Sequence, residues 1–358
     1  MTGIVKHRKS LLGLLIILLA LMLVGNAASG SADIPMSAVA KITYMGTLEL
    51  TQAKLAGISP ALGQSSLWEF LAIERTWEPR HEIIVMQIRI PRALLAALVG
   101  AALSTAGCAM QGLLKNPMAD PYIIGMSSGA SLGASLALLI GIHLQATAFV
   151  FSVITIFLVY NISKVGRSVP VDTLLLAGIA VGSFLSALTS FLVYLNESRD
   201  HVIFWMMGSF ANSSWEKVGV SGLMILIGIL MLYRHAWSLN VMLLGEEQAQ
   251  YLGINVESVK KYILLFASLI TGAAVSVSGI IGFVGLIIPH VMRILVGPDH
   301  RILFPASTLS GAVFLIFCDM ISTKVIPQES LPVGIITAMF GAPFFIYLLR
   351  KRRKTIYA

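Results

Sequence analysis

The chain has 358 residues, 57% of them hydrophobic and only 12% charged, with a mean hydropathy of +0.86. Soluble domains carry roughly 25% charged residues, so the composition excludes a soluble globular protein and calls for an integral membrane protein. The net charge of +8 is scattered at the ends of apolar runs and forms no basic face, which sets topology and argues against a nucleic-acid partner.

Taken in order, Lys6-His7-Arg8-Lys9 precedes an uncharged run, Leu11 to Val24, read as an uncleaved first helix with its basic end in the cytoplasm. The polar stretch from Ser31 to Arg92 then lies outside, with short interfacial helices expected near Met36–Tyr44 and Leu67–Ile73. Further spans are expected at Arg92–Leu114, Tyr122–Ile142, Ala146–Ser163 and Thr173–Leu195. His201 to Phe210 is too short to cross a hydrocarbon core of roughly 30 Å and reads as a re-entrant or interfacial half-helix. Spans six and seven follow at Val218–Tyr233 and Tyr262–Ile281, then a short eighth beginning at the helix-breaking Pro289, a ninth at Leu303–Ile321 and a tenth at Val333–Leu349. Lys115, Lys164, Arg167, Arg234, Lys260, Lys261, Arg293 and Arg301 all fall on the inner side of this arrangement, together with both termini. The chain is thus expected to be an all-α polytopic membrane protein, one domain over residues 1–358, with an extracytoplasmic loop at 31–91 and a cytoplasmic loop at 236–259.

No GxxxxGK[ST] loop occurs, so the chain does not bind ATP in the Walker manner and cannot be its own motor. HExxH is also absent, and the seven histidines are scattered. The two cysteines, Cys108 and Cys318, sit in apolar runs, so no disulfide framework, thiolate metal site or cofactor is expected. The middles of the spans are nearly bare of ionisable groups, unlike those of an ion-coupled carrier. Asp319 is the main exception, expected to pair with Lys324 or a backbone donor; Asp120 and Asp172 read as helix N-caps. Dense small residues, among them Gly100, Gly107, Gly129, Gly133, Gly178 and Gly182, signal close helix packing and leave room for a solute path walled by small and apolar groups. Between spans six and seven lies a polar island, Leu243 to Val256, with Glu246 where a helix dipole favours an anion and with Ala249, Tyr251 and Leu252 available to a partner. From the residues alone, an interaction helix and a solvated loop stand level.

Several long motifs occur in order: Arg89-Ile90-Pro91-Arg92, GAALSTAGCAMQGLLKNPMADPYIIGMSSGASLGA (Gly100 to Ala134), LLLAGIAVG (Leu174 to Gly182), FWMMGSF (Phe204 to Phe210), LGEEQAQYLGI, GFVGLIIPHVMR (Gly282 to Arg293), Asp299-His300-Arg301 and LPVGIITAMFGAPFFIYLLR (Leu331 to Arg350). Together they resemble the permease subunits of ABC importers for iron-siderophores, haem and cobalamin, over essentially the whole chain after Ile88. The resemblance implies a type II ABC importer permease fold of about ten transmembrane helices with short broken ones. It also implies a homodimer in the cell membrane, two copies of a cytoplasmic ATPase subunit, and an extracytoplasmic substrate-binding protein. It assigns ATPase coupling to Leu244, Gly245, Glu246, Gln248, Ala249, Leu252 and Gly253, and an inner gate to Val171 and Asp172. Docking of the binding protein falls to Arg89 and Arg92; Lys324 stands in for a second basic position that aligns with Thr323. The acidic residue expected before Leu331-Pro332 is replaced by Ser330, with Glu329 beside it. The expected cargo is a metal chelate, an iron-siderophore ahead of cobalamin or haem, since the loop before Arg89 is longer than is usual in cobalamin members. An ion-coupled secondary transporter is the alternative.

Overall fold

The computed structural model describes residues 2–30, 32–59, 67–166, 168–195, 199–326 and 330–356. Arg167, Glu197 and Glu329 lie outside the described residues. The chain is helical almost throughout: α1 (Thr2–Ala28), α2 (Met36–Ile58), α3 (Leu67–Leu71), α4 (Pro79–Leu113), α5 (Met126–Ile140), α6 (Leu144–Ile162), α7 (Val171–Leu195), α8 (Arg199–Met206), α9 (Trp215–Arg234), α10 (Ala236–Met242), α11 (Glu246–Tyr251), α12 (Val256–Ser278), α13 (Val284–Val296), α14 (His300–Val325) and α15 (Val333–Ile356). Among the described residues, seven helices are long and apolar enough to cross a membrane, and Met126–Ile140, Val284–Val296 and Val333–Tyr347 are shorter apolar helices. These fall on the ten spans expected from the sequence. In hydrocarbon, backbone groups must be satisfied within the segment, which is why apolar runs of this length settle as helices.

α4 is the central post, buried without a break from Val99 to Leu113. Its small residues let neighbouring backbones touch. A Cβ added at Gly100 would lie 2.2 Å from the carbonyl oxygen of Gly311 in α14, and one at Gly107 would lie 1.9 Å from that of Gly285 in α13. Polar links reinforce the α4–α14 seam: Ser104 Oγ donates to Ser307 O at 2.8 Å, and the Thr105 and Thr308 hydroxyls meet at 2.7 Å. Such bonds are short because small side chains bring the helices together.

Three local features differ from expectation. The stretch after Ser31 carries a full 23-residue helix, α2, rather than a short one. Its Val39 and Ile42, with Ile34, bury against Ala27 and Val85 in a small separate core over the ends of α1 and α4. The eighth span begins at Val284, and the break falls at Gly279–Phe283 with Pro289 inside the helix. A proline deprives the carbonyl four residues earlier of its donor; here Gln111 Nε2 from α4 reaches Leu286 O at 3.0 Å and Gly285 O at 3.4 Å. Asp172 is not a cap, because α7 already begins at Val171, directly after Pro170. Asp120 does cap, accepting from Tyr122 N at 2.8 Å.

Candidate functional site

At one end of the bundle, α11 is held between two glycines in conformations that other residues adopt poorly, Gly245 at φ 139° and Gly253 at φ 81°. Ile254 N closes the turn onto Ala249 O at 3.0 Å. Ala249 is fully buried, so this residue seats the helix instead of facing a partner. The outward groups are Leu244, Tyr251 and Leu252, exposed by 69%, 90% and 60%, with Gln248 beside them. Leu244, Tyr251 and Leu252 thus form an exposed apolar cluster on an otherwise polar turn.

Glu246 points the other way. Its Oε2 receives Lys260 Nζ at 2.8 Å, and the same ammonium donates to Glu257 Oε1 at 3.1 Å. Glu257 Oε2 in turn accepts the backbone N–H of Val169 at 3.1 Å. Val169 lies in the hairpin-like loop before α7, where Val165 and Ser168 exchange backbone bonds of 2.9 and 3.2 Å. Val171 is half-buried and Asp172 exposed at the start of α7. The structure therefore brings α11 and the start of α7 within reach of a shared ion cluster, a contact not apparent in the sequence.

At the opposite end, the three cations nominated from the sequence separate. Arg89, 5% exposed, ends a π-helical turn (Ile84–Arg89) inside α4. Its guanidinium donates to the carbonyls of Ala27 and Ala28 at 3.2 and 3.1 Å and to that of Ala32. Arg92 forms a two-pronged pair with Asp319, Nη2 to Oδ1 at 2.9 Å and Nε to Oδ2 at 3.0 Å. The Asp319 side chain is fully buried and also accepts from Asn26 Nδ2 at 3.1 Å. Asp319 thus pairs across helices and not with Lys324. Lys324 remains on the surface, beside a shallow depression formed with Phe317, Met320 and Val325.

A cavity of about 500 Å³ lies between α5, α7 and α8, lined by Ser127, Ser128, Ser131, Ser186, Thr189 and Ser190 together with apolar groups of α8. The Ser128 and Ser186 hydroxyls meet across it at 3.1 Å. Among the described residues its wall carries no charge but is richer in hydroxyls than the expected lining of small and apolar groups. The residues Gly125-Met126-Ser127-Ser128-Gly129 also fit the letters of a GxSxG nucleophile elbow, a match easily passed over in the sequence. That elbow requires a strand-to-helix turn and a histidine. Here a 3₁₀ turn (Pro121–Ile124) leads into α5, and among the described residues no histidine lines the cavity. Among the described residues no group of His, Cys, Asp and Glu is placed to hold a metal ion.

A bundle of apolar helices with a hydroxyl-lined cavity between three of them, broken helices at one end and a short helix bearing exposed apolar groups at the other is the build of a multi-pass membrane permease. Residues 18–351 match the FecCD transport family, and the chain belongs to that family. It is 46% identical to the cobalamin import system permease protein BtuC of Halobacterium salinarum over 277 residues, 76% of this chain and 74% of that protein. It is 35% identical to the hemin transport system permease protein HmuU of Yersinia pestis over 318 residues, 86% and 93% of the two chains. Among solved structures it resembles an inward-facing ABC transporter assigned to the metal-chelate type, with a TM-score of 0.77 and 29% identity, covering 96% of this chain and 99% of the other. It is a permease subunit of an ABC importer, a family in which the ATPase is a separate subunit.

Proposed function

We propose that this chain forms, as a homodimer, the path of a metal-chelate importer whose α11 end faces the cytoplasm. Two ATPase subunits, one for each permease copy, press on Leu244, Gly245, Gln248, Leu252 and Gly253, with Glu246 anchoring that helix inward and Ala249 as its buried seat. The observation that carries this is the exposed Leu244–Tyr251–Leu252 surface on a rigidly held helix, in a chain with no nucleotide loop of its own. Val171 and Asp172, at the start of α7, form the inner gate. At the other end Lys324 is the exposed cation open to an acidic binding protein. Arg92 contributes at the margin of the same surface, while Arg89 shapes it from beneath.

The cargo is a bulky chelate such as an iron-siderophore, cobalamin or haem. Uncharged hydroxyls can exchange weak hydrogen bonds with the polar rim of such a solute without trapping it, and they leave selection to the binding protein. The absence of carboxylates from the lining of this cavity among the described residues speaks against an ion-coupled carrier.

The test is purification of the chain from its native membrane. An ATPase subunit should accompany it, and Leu252→Asp, at an exposed site, should release that subunit. A chain that arrives alone, or a Leu252→Asp variant that keeps its ATPase, would defeat the proposal. Incubating the cognate binding protein with ferric chelates, cobalamin and haemin then identifies the cargo; binding of none of them removes the chelate assignment.

A further inference from the structure

We propose that Lys260 is a positioning residue that transmits movement of α11 to the start of α7, an inference that rests on the coupling role given to α11 above. Its side chain is 7% exposed, and burying an ammonium costs desolvation that a Met or Leu of similar size would avoid. What the cation provides instead is a fixed geometry between three segments.

The links are short and continuous. Glu246, in the first turn of α11, meets Lys260 at 2.8 Å, and Lys260 meets Glu257 at 3.1 Å. Glu257 then uses its other oxygen on Val169 N at 3.1 Å. Because the two oxygens of one carboxylate serve the two partners, displacement of Lys260 is carried to Val169. From Val169 onward the chain is stiff. Pro170 follows at once, and Thr173 Oγ1 lies 2.9 Å from both Pro170 O and Ser163 O, which share its single proton. The Val165–Ser168 pairing closes the loop on the other side. The loop and the first turn of α7 therefore move as one body, and α7 carries Ser186, Thr189 and Ser190 of the cavity wall. The inference is carried by this continuous chain of contacts between the α11 surface and the helix that lines the cavity, and the experiment reads whether the two ends move together.

The experiment uses the permease–ATPase complex in lipid nanodiscs with a fluorophore on Lys164→Cys, an exposed site in the loop. The natural Cys108 and Cys318 are buried. Adding Mg-ATP should change the emission in the parent. Lys260→Met should reduce that change about fivefold or more, the lower end of couplings of roughly 5- to 150-fold, while the ATPase stays bound and hydrolyses ATP. Lys260→Arg should restore the change, which a purely structural role would not require. A full response in Lys260→Met overturns the inference. Should that variant fail to fold, Glu257→Gln keeps the Lys260–Glu246 pair but leaves a single acceptor oxygen for two donors, so either the Lys260 or the Val169 link is lost; it should show the same loss, and a full response there overturns the inference equally. The two failures are separable. If Leu252→Asp retains its ATPase, the coupling reading falls; if Leu252→Asp releases it and Lys260→Met still responds fully, only the transmission through Lys260 falls.

Discussion

Replacing Asp319 by alanine tests how the end of the bundle opposite α11 is held together. The carboxylate is fully buried and receives Arg92 through both Nε and Nη2, with Asn26 Nδ2 as a third donor. Asp319→Ala would leave a guanidinium only 14% exposed with no counter-charge. Removing one partner of a buried pair costs about 3–5 kcal/mol, whereas exchanging both for well-packed apolar groups is often neutral. At roughly 2–4 °C per kcal/mol for domains of about 150–250 residues, the expected loss is on the order of 10 °C. Thermal unfolding in detergent can be followed with a thiol-reactive dye, since Cys108 and Cys318 are buried until the fold opens. The double variant Arg92→Met/Asp319→Leu should regain most of the loss. A single variant within about 2 °C of the parent, or a double variant no more stable than the single one, would refute the reasoning.

Other outcomes follow from the same geometry. Gln111→Leu strands the Gly285 carbonyl, whose helical donor position is taken by Pro289, and should lower stability by about 1 kcal/mol in the same assay. Gly107→Ala sets a methyl 1.9 Å from the Gly285 carbonyl oxygen; the yield of monodisperse protein on gel filtration should collapse, while a normal yield would show that α4 and α13 can separate cheaply. Lys324→Glu should weaken capture of the binding protein in a pull-down. The effect should be strongest near 0.01 M salt, where the screening length is about 30 Å, and small at 0.15 M, where it is about 8 Å. Equal affinities at low salt would remove Lys324 from the docking surface.

The apolar runs, the positions of prolines and the scattered basic residues were enough to place the spans, because a transmembrane helix is specified by local composition over its own length. The glycines of α4 announced close packing for the same reason: a missing side chain is itself a local fact. By contrast, nothing near Arg89 or Arg92 reveals that one guanidinium turns onto the carbonyls of α1 and the other onto a carboxylate 227 residues away. An arginine at a helix end reads as exposed unless its partner is known. Ala249 and Glu246 could not be sorted into buried seat and inward anchor from a six-residue helix, too short for its periodicity to define a face.

What the sequence determined by itself is therefore the placement of the membrane helices, the lack of a Walker nucleotide loop, and a polar island between α9 and α12, while its order as a helix came from the structure. Only the tertiary structure decided which polar groups face one another. Lys260 lies between Glu246 and Glu257, Glu257 reaches Val169, and the serines of α5 and α7 converge on one cavity. The physical reason is that hydrophobic burial is written residue by residue, whereas a buried charge or hydroxyl is satisfied by whichever distant segment the packing brings within about 3 Å of it.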